Sequence, residues 1–278
     1  MSQTNQEKQE KLLLERRDYY SNVFVLMEIV KSLKHKELAF LDKETHKKNI
    51  RFLFSSKIDF LKMHFEKLDL LKYNADMYHS VADLKNIPVI TYNLKARRLS
   101  SEYKEINDNY VNHMIGYDFF LDFDLDPSDF KAGHNESRDF KVILEEMQVP
   151  YYLLASSKKG LHYIIPSEFF DNSNVLKNVE TFREVIGNIK AIYDYNFLDN
   201  SIVDIKRLKK VPYSFVSDGS IALPLTDEQF LGYNSQLVDM RCVLKRVKIK
   251  ERGLLLRRYN LTDEQLKINT AKFLKEFQ

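Results

Sequence analysis

The residues best suited to chemistry are the aspartates between positions 118 and 126, where the sequence reads DFFLDFDLD. Side chains of a strand alternate between two faces, so one face should be apolar and carry Phe119, Leu121, Phe123 and Leu125. The other face should carry a row of carboxylates, namely Asp118, Asp122, Asp124 and Asp126. Carboxylates at this repeat lie roughly 6–7 Å apart and repel each other, so a divalent cation is their natural partner. Oxygen ligands favour Mg²⁺ or Mn²⁺.

An Asp-x-Asp sequence taken alone has other interpretations. One is a solvated strand face that ends in an acidic turn. Another is a metal-dependent sugar transferase, in which Asp122 and Asp124 would hold a nucleotide diphosphate. Further segments must decide between these alternatives.

The second informative segment runs from Tyr151 to Pro166 and contains Ser-Ser-Lys-Lys-Gly-Leu-His at positions 156–162. Its pattern predicts a strand, a tight turn in which Gly160 supplies unusual backbone angles, and a second strand. Hydroxyls, ammonium groups and an imidazole at a hairpin suit a triphosphate, because all of them can donate to phosphate oxygens. The simpler alternative is a solvent-exposed lysine turn with a structural histidine.

The third segment begins with Leu198 and Asp199, includes Asp204, and continues as KRLKK at positions 206–210 and VPYS at 211–214. An acidic residue about a dozen positions before a basic stretch can complete a metal site while the lysines face phosphate or template. Asp199 and Asp204 both remain candidates for this third carboxylate. A strand end followed by a basic surface loop is the simpler alternative.

Taken in order, the three segments resemble the motifs of the archaeo-eukaryotic primase superfamily, which are hhhDhD, SGxxGxH and an hD pair leading to basic-x-Pro-x-Ser. Here they read FFLDFD, SSKKGLH, and LD followed by KKVPYS. Upstream, KELAFL, NIRFLF and DMYHSVADL look like the REhxF, IRY and hYxSV segments of primase small catalytic subunits. The likeness covers most of residues 35–225.

This resemblance implies a set of site residues. Two divalent metals, Mg²⁺ or Mn²⁺, would be held by Asp122, Asp124 and Asp199, with Asp199 preferred to Asp204 for its spacing to Pro212. Nucleotide would be bound by Arg51, Ser156, Lys158, Lys159, His162 and Lys210. The chain departs from the family pattern at Lys36, Ser157 and Val216, where an arginine, a glycine, and a histidine or arginine are usual.

Composition narrows the class of protein. The chain has 278 residues and a net charge of +3, with its basic residues clustered. A single cysteine, Cys242, excludes an intrachain disulfide, a multi-thiolate zinc site and an iron–sulfur cluster, including the zinc knuckle of many primase small subunits. No apolar run reaches the ~18–20 residues of a membrane span, and the first residues lack a signal peptide's apolar core, so we expect a cytoplasmic protein.

The elements around these segments predict an α+β fold. Capping-box patterns at Thr4, Ser56 and Thr262 predict helices, and helical spacing continues from Val175 to Tyr195. Strand-like runs occupy residues 37–41, 50–54, 89–94, 119–125, 151–155 and 161–165. No linker is evident, so 1–278 should form one catalytic domain with a helical segment 1–34, a motif-bearing core 35–225 and a basic, helical segment 226–278. The resemblance adds a two-lobed arrangement with an RRM-like catalytic sheet and flanking helices.

The function that follows is a template-dependent nucleotidyltransferase, a DNA primase-polymerase that makes or extends primers on single-stranded DNA from NTPs or dNTPs. Its partners would be the template, a primer strand, the nucleotide, and an accessory primase subunit or a further domain for initiation. The competing hypotheses are the sugar transferase above and a catalytically silent module that binds single strands by stacking and charge. The silent module leaves the carboxylate row unexplained, because carboxylates repel a phosphate backbone unless metals intervene.

Overall fold

The computed structural model of the protein describes residues 3–42, 49–72, 75–85, 92–125, 127–201, 203–234, 236–239 and 256–278. Asp126 of the predicted carboxylate row, Cys242 and residues 89–91 of a predicted strand lie outside the described residues. So do residues 235 and 240–255 of the predicted basic, helical segment 226–278.

Helices and strands are mixed along the chain without strict alternation, which confirms the α+β prediction at this level. The helices are α1 Gln3–Ser21, α2 Val23–Ser32, α3 Ile58–Lys67, α4 Leu94–Leu99, α5 Ser101–Asp108, α6 Tyr110–His113, α7 Phe130–Glu146, α8 Val175–Tyr193, α9 Asp227–Leu231 and α10 Asp263–Phe277. The strands are β1 Leu38–Asp42, β2 Ile50–Leu53, β3 Ala75–Ser80, β4 Ala82–Leu84, β5 Met114–Tyr117, β6 Phe119–Asp124, β7 Tyr152–Ser157, β8 Gly160–Ile165, β9 Leu198–Asp199, β10 Leu208–Lys210 and β11 Leu223–Pro224.

The strands of the described residues form three antiparallel sheets. The first sheet has the order β10-β3-β1-β2, and a small sheet pairs β4 with β5. The third, called here the motif sheet, has the order β11-β7-β8-β6-β9. From β6 to β9 the chain runs β-α-β-β-α-β, with α7 and α8 as its helices. Because β9 belongs to the motif sheet and β10 to the first sheet, the third sequence segment connects the two.

The apolar face predicted for β6 is confirmed. Phe119, Leu121 and Phe123 are fully buried. Phe123 packs 5.9 Å from Phe140 of α7, and Phe119 packs 5.1 Å from Phe182 of α8, both measured between ring centroids. Each such side chain contributes about 1.5–3 kcal/mol on burial, so this face anchors β6 and fixes which way its polar side chains point.

The helix signals had mixed outcomes. The capping box at Thr262 is confirmed, with both reciprocal bonds to Gln265 present. At α3 the residue before the helix is Lys57, which makes no capping bond through its side chain, so the box at Ser56 is wrong although the helix exists. Thr4 lies inside α1 rather than before it. The strand predicted at 89–94 is wrong at its described residues 92–94, because Asn93 caps α4 and Leu94 begins it.

None of the described helices is both long enough and apolar enough to cross a membrane.

Candidate functional site

Residues from all three sequence segments meet on neighbouring strands of the motif sheet. Strand β6 lies between β8 and β9, and Asp122 stands opposite His162 on one side and Asp199 on the other. Asp124 is two residues further along β6, opposite Gly160. Strand pairing therefore gathers Asp122, Asp124, Asp199 and His162 at one end of the sheet.

The three aspartates Asp122, Asp124 and Asp199, called here the edge carboxylates, lie close enough for their charges to interact, although Asp199 also accepts the N–H and O–H of Ser201 at 2.8 and 2.7 Å. Partial desolvation, then the charges of Asp122 and Asp199, raise the pKa of Asp124. Oδ1 of Asp122 is buried and has no hydrogen-bond partner among the described residues. Nε2 of His162 lies 3.3 Å from that oxygen. Mutual repulsion and an unpartnered buried oxygen leave this group with an electrostatic need for a cation.

These residues fit a divalent metal by the chemistry of their donors, since all three supply hard carboxylate oxygens. Within the described parts of the chain, however, no group of three or more His, Cys, Asp or Glu side chains could hold a metal ion as they stand. Asp204 lies between β9 and β10, outside the motif sheet; its carboxylate accepts the Lys206 N–H at 2.7 Å, much as Asp199 accepts the Ser201 N–H at 2.8 Å. The position opposite Asp122 belongs to Asp199, which favours Asp199 as the third carboxylate.

The second segment forms the predicted hairpin of β7 and β8, but Gly160 acts differently from the prediction. Its φ is not in the left-handed region; Gly219 is the only described glycine with a positive φ. What requires glycine is space, because a Cβ at Gly160 would lie 2.4 Å from Oγ of Ser156. The same Cβ would lie 3.6 Å from Oδ1 of Asp122. Because glycine has no side chain, the Ser156 hydroxyl and the Asp122 carboxylate can both lie close to position 160 of β8.

A pocket of about 400 Å³ opens between the motif sheet and the first sheet. Five of the predicted site residues line it, namely Asp122, Ser156, Lys159, His162 and Lys210. It is also lined by Tyr78, Phe120, Ser157, Arg207, Leu208, Lys209, Val216, Ser217 and Asp218. A larger groove of about 1090 Å³ between α8 and α10 contains none of the predicted residues. The smaller pocket is therefore the candidate site.

Lys210 reaches this pocket from β10 with its charge already paired. Its Nζ forms an ion pair with Asp76 of β3 and lies 4.2 Å from the centroid of the Tyr78 ring. Asp76 also accepts the Ser217 N–H at 2.6 Å. The Lys210 ammonium is thus held at a fixed place in the pocket wall.

Two predicted nucleotide-binding residues are engaged elsewhere. Arg51 donates to both carboxylate oxygens of Glu37, at 2.7 and 2.8 Å, and to the carbonyl of Lys206 at 3.1 Å. It is not among the residues that line the pocket. Lys158 donates to the carbonyl of Asp218 at 3.2 Å, while its neighbour Lys159 lines the pocket.

Asp118 does not belong to the carboxylate row, which corrects the prediction for that residue. It is 3% exposed and forms ion pairs with Lys36 at 2.8 Å and Lys209 at 2.5 Å. Lys36 also pairs with Asp83 at 2.8 Å. Although burial opposes ionisation, Lys209 and Lys36 hold the pKa of Asp118 well below its usual range. These four residues, called here the Asp118 cluster, join β4, β6, β10 and the approach to β1.

The pocket also contains residues that the sequence did not single out. Tyr78 was visible only within the segment DMYHSVADL, and Arg207 and Lys209 only within the basic run 206–210. The basic run at 206–210 indicated that cations gather here, but periodicity could not say which of them would face a pocket.

Comparisons with known proteins give structural neighbours only. No family model and no curated protein matches the chain. Among solved structures, the chain is similar to the catalytic domain of primase RepB' in complex with initiator DNA, at 12% identity and a TM-score of 0.40 over 91% of this chain and 96% of that one.

It is also similar to a second structure of primase RepB', at 12% identity and a TM-score of 0.43 over 91% of this chain and 69% of that one. A third neighbour is the polymerase domain of Mycobacterium tuberculosis Ligase D in complex with DNA, at 10% identity and a TM-score of 0.45 over 92% and 87% of the chains. At identities of 10–12% and TM-scores of 0.40–0.45, these neighbours assign no function to this chain.

Proposed function

We propose that the chain is a template-dependent nucleotidyltransferase, a DNA primase-polymerase that makes or extends primers on single-stranded DNA from nucleoside triphosphates. The observation that supports this most is the alignment of His162, Asp122 and Asp199 across three neighbouring strands, beside a pocket lined by Ser156 and Lys159. A carboxylate group next to hydroxyl and ammonium donors suits a metal-bound triphosphate.

The edge carboxylates would hold two divalent ions, Mg²⁺ or Mn²⁺. Such ions neutralise the charge of the triphosphate and activate the attacking 3′-hydroxyl. Asp122 is positioned for this by strand pairing on both sides, and Asp199 by its place opposite Asp122.

The donors of the pocket would orient the phosphates. The Ser156 hydroxyl, which lies beside Gly160, can donate to a phosphate oxygen, and Lys159 supplies a positive charge. The imidazole of His162 is 5% exposed and packs edge-on against Phe120 at 4.7 Å, which fixes the ring plane. Lys210 would add its charge from the opposite wall.

The two-lobed arrangement and the RRM-like catalytic sheet are part of the same proposal. The strand order β7-β8-β6-β9 and the β-α-β-β-α-β succession support the second, and the pocket between two sheets supports the first. Single-stranded DNA as template, a primer strand, and an accessory subunit or further domain are the proposed partners.

The decisive experiment measures synthesis on a single-stranded DNA template with Mg²⁺ or Mn²⁺, with and without primer, and with NTPs against dNTPs. Wild type is compared with Asp122→Ala and with Asp108→Ala, which removes an exposed carboxylate from the end of α5. Product without primer that disappears only in Asp122→Ala indicates a primase, and product only with primer indicates an extending polymerase. DNA binding without synthesis under all conditions supports the silent binding module instead.

A further inference from the structure

One wall of the pocket is formed by the chain that follows β10, residues 211–218, called here the wall loop. Residues 216–218 of this loop line the pocket. The N–H of Ser217 donates to Asp76 of β3 at 2.6 Å, and the same carboxylate forms an ion pair with Lys210. The course of the wall loop therefore decides where this side of the pocket lies.

The wall loop contains a strained residue. Tyr213 has a φ of 62°, in the left-handed region that a bulky side chain rarely adopts. Its side chain is buried, and its N–H donates to the carbonyl of Ala222 at 2.6 Å. A conformation of this kind persists only where the surrounding structure imposes it. The loop therefore depends on contacts that hold its main chain in place.

Helix α1 supplies two of these contacts. The Tyr19 hydroxyl donates to the carbonyl of Tyr213 at 2.7 Å, and the Tyr20 hydroxyl accepts the N–H of Phe215 at 2.9 Å. Both tyrosine side chains are buried. The ring of Tyr19 also packs against that of Phe215, with 6.2 Å between the centroids. Two adjacent residues of one helix thus bind the main chain on both sides of Ser214.

These tyrosines act on the pocket from a distance, since neither of them lines it. Without the Tyr20 hydroxyl, the buried N–H of Phe215 would lose its partner, which is unfavourable unless the loop moves to find another acceptor. Such a movement would displace Ser217, only two residues further along the chain. A change at α1 should therefore alter the shape of the pocket without removing any group that contacts a ligand.

We infer that Tyr19 and Tyr20 are positioning residues for nucleotide binding, because they hold the wall loop in the course that forms one side of the pocket. This inference rests on the proposed function. It gives α1, which lies outside the three motif segments, a share in the affinity for the incoming nucleotide. The effect is on binding, because Asp122 and Asp199 are held separately by strand pairing in the motif sheet.

The test compares Tyr19→Phe and Tyr20→Phe with Tyr163→Phe in the full chain. Tyr163 is a matched control because its buried hydroxyl donates to the carbonyl of Ser137 at 2.7 Å and because it does not line the pocket. Primer extension gives kcat and the KM for nucleotide. Calorimetry gives the Kd of a magnesium–nucleoside triphosphate, and circular dichroism follows folding and thermal unfolding.

Loss of either hydrogen bond to the loop should raise KM and Kd roughly 3- to 10-fold and change kcat less than about twofold. Tyr163→Phe should lower Tm to a similar extent and leave KM and Kd as in wild type. Tyr19→Phe deprives only a carbonyl of its donor, so it tests the inference even if Tyr20→Phe fails to fold.

The outcomes separate this inference from the proposed function. Folded Tyr19→Phe and Tyr20→Phe proteins with wild-type KM and Kd overturn the inference. An equal rise in KM and Kd in Tyr163→Phe also overturns it, because loss of stability alone would then explain the effect. If wild type binds the nucleotide but synthesises no DNA or RNA, the proposed function is rejected and the Kd values alone decide the inference. Wild type that binds no nucleotide overturns both.

Discussion

Asp118 and Asp122 lie on the same side of one strand and have opposite surroundings. Asp118 is buried between two lysine ammonium groups, whereas Asp122 has a buried oxygen without a hydrogen-bond partner among the described residues and two aspartates nearby. The first carboxylate is compensated by the protein itself. The second has no lysine or arginine ion pair among the described residues and faces only the His162 imidazole, 3.3 Å away. Compensation, more than the presence of a carboxylate, therefore separates a structural aspartate from a candidate metal ligand on this strand.

The Asp118 cluster connects the two sheets through buried ion pairs beside the pocket. Lys209 comes from β10 of the first sheet, and Asp118 immediately precedes β6 of the motif sheet. Burial, then the charges of Lys209 and Lys36, lower the pKa of the neighbouring His79 well below its usual value, so this ring stays neutral. The charges in this region are therefore carried by the lysine–aspartate pairs that connect the sheets.

The largest expected effect is a loss of stability when Asp118, the carboxylate paired with two lysines, is removed. Asp118→Ala leaves Lys209 buried without its carboxylate, which should lower the free energy of unfolding by about 3–5 kcal/mol in urea denaturation. Replacing both partners by apolar residues, Asp118→Leu with Lys209→Met, should restore much of the stability. If Asp118→Ala alone is as stable as wild type, the ion pair is not needed for the fold.

Removing the charge of Asp122 should lower the rate of synthesis instead of the stability. Asp122→Asn removes a charge that repels Asp124 and Asp199, so unfolding should be unchanged or slightly more difficult. Synthesis should fall by on the order of 10²-fold or more, because the charge that positions the ions is lost. Retained synthesis in a folded Asp122→Asn protein would remove the metal assignment.

His162 adjoins the edge carboxylates but belongs to the phosphate side of the pocket. His162→Ala should raise the KM for nucleotide roughly tenfold, with a smaller change in kcat, because a donor to phosphate is lost. The measurement is the nucleotide dependence of primer extension, with His113→Ala as a control, because His113 pairs with Glu105 and does not line the pocket. An unchanged KM counts against the phosphate role.

The smallest expected effect is a change in the free energy of unfolding at acid pH. The folded pKa of Asp118 lies below its usual value, so its stabilisation is complete above about pH 4–5 and is lost as the pH falls below that range. The difference in unfolding free energy between wild type and Asp118→Asn should therefore shrink by on the order of 1 kcal/mol between about pH 5 and pH 2. A difference that stays constant with pH would mean that Lys36 and Lys209 do not lower the pKa of Asp118 in the folded protein.

Much of the site could be predicted from local sequence. Alternation along β6 gave the correct apolar face, and the hairpin of β7 and β8 lies where Gly160 and its flanking runs indicated it. The reciprocal bonds at Thr262 and Gln265 follow from four adjacent residues. These features depend on neighbours within a few positions, and the sequence contains all of that information.

The role of each charge was decided by tertiary structure. Asp118 follows the same alternation as Asp122, yet Lys36 and Lys209 arrive from distant segments and make it structural. Arg51 matches a motif but is bound to Glu37, whereas Arg207 matches none and faces the pocket. The sequence by itself determined which residue types stand on which face of a strand. Only the tertiary structure determined which charges are neutralised, because ion pairs join residues far apart in the chain, and local spacing carries no record of them.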